Sequence, residues 1–429
     1  MTNAPDQPPT AAEAAVREAI AREGPITFAR FMEIALFSAS GGYYSSLRAS
    51  RAADPAGRDY FTAPMAHPVF GYLLALQLAE VWRLLERPSP FWIVEPGCGD
   101  GLLARDVLTG LERLEPGCFA VTRYVVADRA APHAGREVAF PGRAQRIVAD
   151  GLPLRGVVGC VLSNELLDAF PVHRFQVTQN AFQEIYVTLR DGRLTDAPGA
   201  PSSEHLTHRL ERLRCAAPGM AEGHRSEVCL ALGGWVAEVA RALERGVVLT
   251  LDYGDITPSL YGPERSSGTL QCYFRHTVSG NPYLRVGRQD ITAHVDFGVL
   301  TGLGEHAGLT VLGYTTQGRF MRNLGADLFV HRMHRLSDTL PQSTIAANRM
   351  AMLELVRPES FGSFKVLAQA KGLSSASLSG FSQDNPVRER LTRLQPDLPV
   401  PLLTPDHAPL LAGKYPHLVP EPPENFTFP

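Results

Sequence analysis

A cluster of glycines behind an acidic residue is the local pattern in this sequence that is best suited to hold a ligand. It reads Glu95-Pro96-Gly97-Cys98-Gly99-Asp100-Gly101 and follows a short apolar run at residues 91–94. Glycine lets the backbone turn sharply and approach a ligand without a Cβ atom in between. A dinucleotide-binding turn needs the spacing G-x-G-x-x-G, whereas these glycines alternate and position 102 is leucine. The pattern therefore predicts a strand-turn-helix site for a different ligand.

The alternating glycines match the E/D-x-G-x-G-x-G pattern of class I methyltransferases, whose ligand is S-adenosylmethionine. In such a turn the backbone faces the methionyl part, and Glu95 would help to hold its ammonium group. Asp128 ends the next predicted strand, where a ribose diol needs a carboxylate acceptor. Asp150 ends the strand after that and would bind the adenine amino group. Either aspartate would also serve as a helix N-cap, but three acids at one strand edge favour a nucleoside cofactor.

Asn164, Glu165 and Asp168 follow the fourth predicted strand, at the rim where a methyl donor and its acceptor would meet. If this stretch starts a helix, Glu165 and Asp168 are three residues apart and share one face. Two carboxylates there would clamp a guanidinium and keep its lone pair toward the methyl group. Acids also favour the N-terminus of a helix without any catalytic role, so the residues leave both interpretations open.

His294 and His276 are the candidate bases. His294 lies in the block 290–297, in which Asp290 would cap a helix and His294 would follow along one side. Histidine is a suitable base for a phenol, carboxylic acid or amine acceptor. A lone histidine is more often a hydrogen-bonded core or surface residue, and His276, in the irregular stretch 255–295, has the same two interpretations. Tyrosines that would either line an acceptor pocket or simply pack are Tyr43, Tyr44, Tyr253 and Tyr273.

The elements that must position these residues form an α/β pattern. Helices are predicted at residues 11–22, 27–36, 69–85 and 102–114, and strands at residues 91–94, 123–127, 146–149, 157–162 and 246–251. Strands separated by helical stretches predict βαβ units and a doubly wound sheet with its ligand crevice at the C-terminal strand ends. A hairpin is predicted at residues 175–194, and the Pro-rich end of the chain is expected to be extended.

Composition excludes several classes of protein. The 429 residues are 45% hydrophobic and carry 41 Lys and Arg against 44 Asp and Glu. An apolar fraction of this size predicts a large core rather than disorder, and the balanced charge argues against binding nucleic acid through bulk positive field. No apolar run is long enough for a membrane span. The six cysteines form no metal or disulfide pattern, and no secretory or organelle signal precedes the first helix. We therefore expect a cytoplasmic protein.

Longer blocks resemble the MidA-like methyltransferases, a family that includes the mitochondrial complex I assembly factor that methylates a protein arginine. The resemblance covers about residues 24–370. The blocks that carry it are residues 26–44 (ITFARFMEIALFSASGGYY), 59–64 (DYFTAP), 70–71 (FG), 95–101, 163–172 (SNELLDAFPV), 251–254 (LDYG), 268–270 (GTL), His276 and 289–297 (QDITAHVDF).

The resemblance implies a class I methyltransferase (Rossmann-like) core with an N-terminal helical segment and inserted α+β lid elements over the site. It implies that S-adenosylmethionine is held by Thr62, Gly97, Gly99, Asp128 and Asn164, with Pro64, two residues after Thr62, as a further contact. The sequence departs from the family after Asp128, at the arginine-bearing segment 281–288, and in the Pro-rich extension. The implied parts are residues 1–85 (an N-terminal helical region at the cofactor pocket), 86–170 and 246–372 (the core), 171–245 (an inserted hairpin and helical subdomain) and 373–429 (the C-terminal extension).

The function implied by the resemblance is S-adenosylmethionine-dependent methylation of an arginine on a partner protein. An alternative is O- or N-methylation of a small molecule, such as a natural-product intermediate, with His294 or His276 as the base. A third hypothesis is an assembly protein without turnover, against which the intact glycine turn and Asp128 argue. A homodimer is left open.

Overall fold

A computed structural model of the chain describes residues 9–45, 61–129, 139–179, 181–373, 376–383 and 385–407. The strands in these ranges are β1 (Ile26–Thr27), β2 (Phe91–Pro96), β3 (Thr122–Asp128), β4 (Ala144–Val148), β5 (Val157–Asn164), β6 (His173–Thr178), β7 (Ala181–Arg190), β8 (Arg193–Gly199), β9 (Arg225–Val228), β10 (Leu243–Asp252), β11 (Gly254–Asp255), β12 (Gln271–Phe274), β13 (Thr277–Ser279), β14 (Asp290–Thr292), β15 (Val295–Asp296), β16 (Thr310–Thr316) and β17 (Lys365–Lys371). The helices with both ends in these ranges are α1 (Ala11–Glu23), α2 (Phe28–Phe37), α3 (Ala63–Ala66), α4 (Val69–Leu84), α5 (Leu102–Leu114), α6 (Pro116–Val121), α7 (Glu204–Ala216), α8 (Ala231–Ala242), α9 (Thr257–Leu260), α10 (Phe297–His306), α11 (Gln317–Asn323), α12 (Ala326–His334), α13 (Gln342–Glu354) and α14 (Pro386–Arg393). None of the described helices combines the length and the apolar character that crossing a bilayer requires.

Seven of the described strands form the central sheet, in the order β4-β3-β2-β5-β10-β17-β16. Neighbours from β4 to β10 are parallel, and β17 runs antiparallel to both of its neighbours. The chain order reverses between β2 and β5, and such a switch point is where doubly wound sheets bind their ligands. The predicted α/β fold is confirmed. The antiparallel pair β16 and β17 was not predicted, because neither strand has the long apolar run of a central parallel strand.

The predicted strands of the central sheet are confirmed, and their ends differ from the prediction by a few residues. The third strand ends at Val148 rather than at residue 149, so Asp150 lies two residues beyond it. The buried helix predicted at residues 69–85 is α4, which packs against α5 in the main core. Helix α5 begins at Leu102, directly after the glycine turn.

A second sheet joins the beginning of the chain to its middle. Strands β6, β7 and β8 form an antiparallel meander where a hairpin at residues 175–194 was predicted, and β9 pairs with β6. Strand β1 pairs with β7 through Ile26 and Val187. The sequence did not indicate this long-range pairing, because a two-residue strand has no periodicity. Helices α1 and α2 share a hydrophobic core with this sheet.

Short strands cover the C-terminal ends of the central strands. Strand β12 pairs with β13 and β14, and β11 pairs with β15. The prediction that Asp290 would start a helix carrying His294 is wrong. Residues 290–292 form β14, and α10 starts only at Phe297, where Asp296 caps the backbone N–H of Val299 at 3.1 Å.

The described part of the C-terminal extension packs against the core. Leu391 of α14 is fully buried in the main core, and Leu398 is buried beyond it. The side chain of His407 contacts Oδ2 of buried Asp106 at 2.9 Å. From residue 398 to residue 407 the chain forms no helix or strand, as expected of an extended tail, but it is anchored. Residues 59 and 60 of one family block and residues 408–429 of the tail lie outside the described residues.

Candidate functional site

The glycine turn is held in a left-handed conformation at the C-terminal end of β2. Gly97, Gly99 and Gly101 have φ values of 70°, 53° and 91°. The N–H of Gly97 donates to the carbonyl of Ala127 at 2.8 Å. From β4, Arg146 donates to the carbonyls of Gly99 and Asp100 at 3.0 and 3.1 Å. The turn is thus fixed from two neighbouring strands.

The three glycines meet different surroundings. A Cβ atom at Gly97 would lie 2.6 Å from Leu166, and one at Gly101 would lie 2.8 Å from Phe140. A Cβ atom at Gly99 would meet no described atom within 4 Å. Packing inside the protein therefore explains Gly97 and Gly101, whereas Gly99 borders open space that a ligand can use to reach the backbone.

The acids predicted to hold a nucleoside lie in different environments. Asp128 ends β3, and its Oδ2 accepts from the N–H of Gly99 at 3.1 Å. Glu95 is buried and accepts from the hydroxyl of Tyr124 at 2.7 Å, and burial raises the pKa of its carboxyl to about 8. Asp150 is 82% exposed and pairs with Arg129 at 2.9 Å. Asp128 therefore adjoins the turn directly, while Asp150 lies at the surface.

The end of β5 is connected to the N-terminal region through Glu165. Oε1 of Glu165 accepts from the side-chain amide of Asn164 and from the backbone N–H of Ala63, both at 3.0 Å. Thr62 stands at the N-cap position of α3, where its side chain makes no capping bond, and Pro64 occupies the first turn. Residues 62–64 and 164–165 thus meet across the strand ends.

The prediction that Glu165 and Asp168 share one helix face is wrong. Glu165 has a left-handed φ of 47°, and only Leu167–Ala169 form a short 3-10 turn. Oδ2 of Asp252, at the end of β10, accepts from the backbone N–H groups of Leu166 and Leu167 at 3.2 and 2.9 Å. Because Asp252 takes these donors, neither predicted acid is needed to cap the turn.

Asp168 is brought next to Tyr253 and His294. The hydroxyl of Tyr253 donates to Oδ2 of Asp168, and the N–H of Ala293 donates to the carbonyl of Asp168 at 3.0 Å. The ring centroid of His294 lies 5.4 Å from that of Tyr253. Burial lowers the pKa of His294 to about 4, so its ring is neutral at neutral pH. These contacts join the ends of β5, β10 and β14.

Glu165, Asp168 and Asp252 form a cluster that we call the acid patch. Burial raises the pKa of Glu165 to about 8 and that of Asp168 to about 6. Burial and the two neighbouring carboxylates raise the pKa of Asp252 well above its usual range. No lysine or arginine in the described parts of the chain forms an ion pair with the patch.

Several buried polar atoms at the acid patch have no hydrogen-bond partner among the described residues. They are Oδ1 of Asn164, Oδ1 of Asp168, Oγ1 of Thr292 and Nδ1 of His294. Leaving a buried polar atom unpaired costs about 1–3 kcal/mol. All four atoms can accept a hydrogen bond, so the patch is suited to a ligand with several donors.

The other candidates lie outside the acid patch. His276 is exposed at the tip between β12 and β13 and stacks on Phe61, with ring centroids 4.8 Å apart. Tyr43 is buried in the N-terminal core, and the Tyr44 hydroxyl donates to Asp290 at 2.9 Å. The described residues hold no group of three or more His, Cys, Asp or Glu side chains arranged to bind a metal ion.

Sequence reasoning missed two residues of the site. Asp252 follows a predicted strand, so the convergence of parallel strand ends could have indicated it. Arg146 lies within a strand, and nothing in the sequence indicates that its side chain reaches the glycine turn.

Comparisons with known proteins agree with this geometry. The sequence model of a family of S-adenosyl-L-methionine-dependent methyltransferases matches residues 73–315, more than half of the chain. The chain belongs to this family. The predicted enzyme class and cofactor are thereby confirmed: this methyltransferase uses S-adenosylmethionine.

Two relatives and one solved structure resemble this methyltransferase over most of its length. The Drosophila melanogaster protein arginine methyltransferase NDUFAF7 homolog, mitochondrial, is 28% identical over 85% of this chain and 86% of its own. Human protein arginine methyltransferase NDUFAF7, mitochondrial, is 25% identical over 79% and 78%. A crystal structure of a protein from Burkholderia thailandensis bound to S-adenosylhomocysteine has a TM-score of 0.75 and 29% identity over 89% of this chain and 98% of that chain.

Proposed function

We propose that this methyltransferase transfers the methyl group to an arginine side chain of a partner protein. The observation that carries the proposal is the acid patch with the buried Oδ1 atom of Asp168, which has no partner among the described residues. A guanidinium has five N–H donors in a planar fork and pairs with carboxylates through two parallel hydrogen bonds. It therefore suits both the charge and the missing donors of the patch. The names of the two relatives as protein arginine methyltransferases support the same acceptor.

The residues at the turn fit the cofactor, which supplies a methyl group on a positively charged sulfur. We infer that the backbone of the glycine turn faces its methionyl part at Gly99, while Gly97 and Gly101 shape the turn and Glu95 lies buried just before it. Asp128 would accept from the ribose hydroxyls. Support comes from the open space beside Gly99 and from the unpartnered Oδ1 of Asn164. Thr62 and Pro64 would complete the pocket from α3, and Asp150 would lie near the adenine end.

The acid patch would hold the acceptor and take its proton. Glu165 and Asp168 would orient the guanidinium so that one nitrogen faces the methyl group. When that nitrogen gains the methyl group, its N–C bond forms, the S–C bond of the sulfonium breaks with its electron pair left on sulfur, and the nitrogen loses one proton. Burial raises the pKa of Glu165 to about 8, so Glu165 can act as a base only after the bound guanidinium has favoured the loss of its proton. We infer that Glu165 accepts the proton.

The small-molecule alternative has weaker support. It requires His294 or His276 as the base. With a pKa lowered to about 4, His294 binds a proton weakly, and His276 is exposed and stacks on Phe61. The Nδ1 atom of His294 has no partner among the described residues. It is better suited to accept a hydrogen bond from the substrate than to remove a proton from it.

A Glu165→Gln variant tests the proposal. Glutamine keeps an oxygen for the N–H of Ala63 and the amide of Asn164, so the local fold is preserved while the charge is removed. We expect methyl incorporation into a library of arginine peptides, read by mass spectrometry, to fall by about 10²–10⁴-fold, with the affinity for S-adenosylhomocysteine unchanged. The control is Glu184→Gln, at a buried carboxylate in the second sheet, which should keep its activity. Full activity of Glu165→Gln would contradict the mechanism.

Two further proposals concern the protein's location in the cell and its oligomeric state. We propose a cytoplasmic location, although both relatives above are named mitochondrial. A homodimer also stays a proposal. Cell fractionation tests the first proposal and light scattering of the purified protein the second.

A further inference from the structure

The hairpin of β12 and β13 lies next to the acid patch, because Tyr273 of β12 is close enough to interact with Asp168 and Glu165. At one side, Tyr273 of β12 pairs with Asp290 of β14, and Ala293 just beyond β14 donates to Asp168. At the other side, His276 at the tip stacks on Phe61, close to the segment that donates to Glu165. The hairpin therefore extends from the Asp168 side of the patch to the Glu165 side.

The hairpin and the loop after it present apolar and basic side chains, of which Arg275, Val278 and Leu284 are exposed and Phe274 and Arg285 are half-buried. The guanidinium groups of Arg275 and Arg285 lie 5.3 and 4.6 Å from the ring centroid of Phe274. Val278 and Leu284 are 62% and 60% exposed, the highest exposures among the large apolar side chains of the described residues. We call these five residues the hairpin platform.

The platform carries basic side chains, whereas the acid patch next to it carries carboxyl groups. A guanidinium that enters the patch favours the ionised form of these carboxyls, while residues that flank this arginine on the same chain meet the guanidinium of Arg285 on the platform. Acidic flanks would pair with this guanidinium, and basic flanks would be repelled. Apolar side chains in the segment would cover Val278 and Leu284, which a monomer leaves in water.

We propose that the hairpin platform is the docking surface for the partner protein's acceptor segment, and that this segment carries acidic side chains next to the methylated arginine. The inference rests on the proposed arginine acceptor. It adds that the enzyme selects segments with acidic residues beside this arginine. An arginine-rich segment, in contrast, would be a poor substrate despite its many acceptors.

Short peptides with one central arginine and flanks of glutamate, glutamine or lysine test this inference on the full-length enzyme. We expect kcat/KM for methyl transfer to be about tenfold higher with glutamate than with glutamine flanks, equivalent to about 1.4 kcal/mol, and lowest with lysine. Added salt should weaken the preference, because the peptide flanks and the half-buried Arg285 remain in contact with solvent. Equal kcat/KM for the three flanks would overturn the docking surface but leave the proposed function intact. Transfer to none of the peptides would contradict the proposed function itself.

Reversing the charge of residue 285 tests whether Arg285 causes the preference for acidic flanks. Arg285→Glu should reverse the order of glutamate and lysine flanks, whereas Arg285→Lys should keep it. The matched control is Arg241→Glu at the end of α8, an exposed arginine that lies next to the start of β10, at the opposite end of that strand from Asp252. An unchanged order in Arg285→Glu, with unfolding and cofactor affinity like those of the wild type, would overturn the assignment. Tighter binding of a single-stranded oligonucleotide than of the acidic peptide would overturn it as well, because arginine and phenylalanine side chains also bind bases.

Discussion

The hydroxyl of Tyr253 donates a hydrogen bond to one carboxylate oxygen of Asp168, while the other oxygen is buried without a partner among the described residues. Asp168 is only 6% exposed, so water cannot easily take the place of the missing donor. The bond fixes the plane of the carboxylate and thereby the direction of Oδ1. Tyr253 follows β10 and Asp168 follows β5, so adjacent strands of the central sheet hold the two residues together. We infer that Tyr253 is a positioning residue for the acceptor.

A Tyr253→Phe variant should separate acceptor binding from cofactor binding. Removing the hydroxyl leaves both oxygens of the Asp168 side chain without a described side-chain donor, so we expect kcat/KM for the acceptor to fall by about 10–100-fold. The affinity for S-adenosylhomocysteine, measured by calorimetry, should stay the same. Tyr186→Phe is the control, because the hydroxyl of Tyr186 lies in the second sheet and donates to the carbonyl of Ala200. Loss of cofactor affinity in Tyr253→Phe would argue for a different role.

Binding of the acceptor should release a proton at neutral pH. The pKa of Glu165 is raised to about 8, so its carboxyl is largely protonated in the free enzyme. A bound guanidinium favours the charged carboxylate and lowers this pKa. We expect a release of up to about one proton, measured by calorimetry in buffers with different ionisation enthalpies, and acceptor affinity that rises from about pH 6 to about pH 8. Glu165→Gln should abolish most of the release, and an equal release in this variant would contradict the assignment.

A comparison of two glycines should test the position of the cofactor. Gly99 and Gly192 both have a positive φ, and a Cβ atom at either position would meet no described atom within 4 Å. Replacement of either residue by valine strains the backbone by a similar amount, on the order of 1–3 kcal/mol, but only Gly99 lies at the glycine turn. We expect Gly99→Val to weaken binding of S-adenosylhomocysteine by at least about tenfold. Gly192→Val should bind S-adenosylhomocysteine with the affinity of the wild type. Equal affinities in the two variants would mean that the cofactor lies elsewhere.

The C-terminal extension should contribute to global stability. Leu391 is fully buried in the main core, whereas Leu394, directly after α14, is 40% exposed. Leu391→Ala should lower the free energy of unfolding by about 2–5 kcal/mol, because it leaves a cavity. Leu394→Ala should change it by less than about 0.5 kcal/mol. Chemical denaturation measures both values, and a small effect of Leu391→Ala would show that the extension is not part of the folding unit.

Much of the central sheet could be predicted because its signals are local. The apolar runs of β2, β3, β5 and β10 and the turns after them depend on neighbouring residues, and their order along the chain restricts the sheet to few topologies. The prediction was wrong at Asp290, where a capping pattern indicated a helix but pairing with β12 favoured a strand. The pairing of β1 with β7 could not be predicted either, because it joins segments that are far apart in the sequence.

The sequence by itself determined the glycine turn, the acids at the strand ends and, through the family blocks, the cofactor. Only the tertiary structure decided how these acids are used. In the folded protein, Asp252 accepts from backbone N–H groups that a helix cap would otherwise bind. Oδ1 of Asp168 has no partner among the described residues, and Asp150 is exposed at the surface. The physical reason is that residue types and spacings are read within a few positions of the chain. The direction of a side chain, its burial and its hydrogen-bond partner depend instead on strands that meet only in the folded protein.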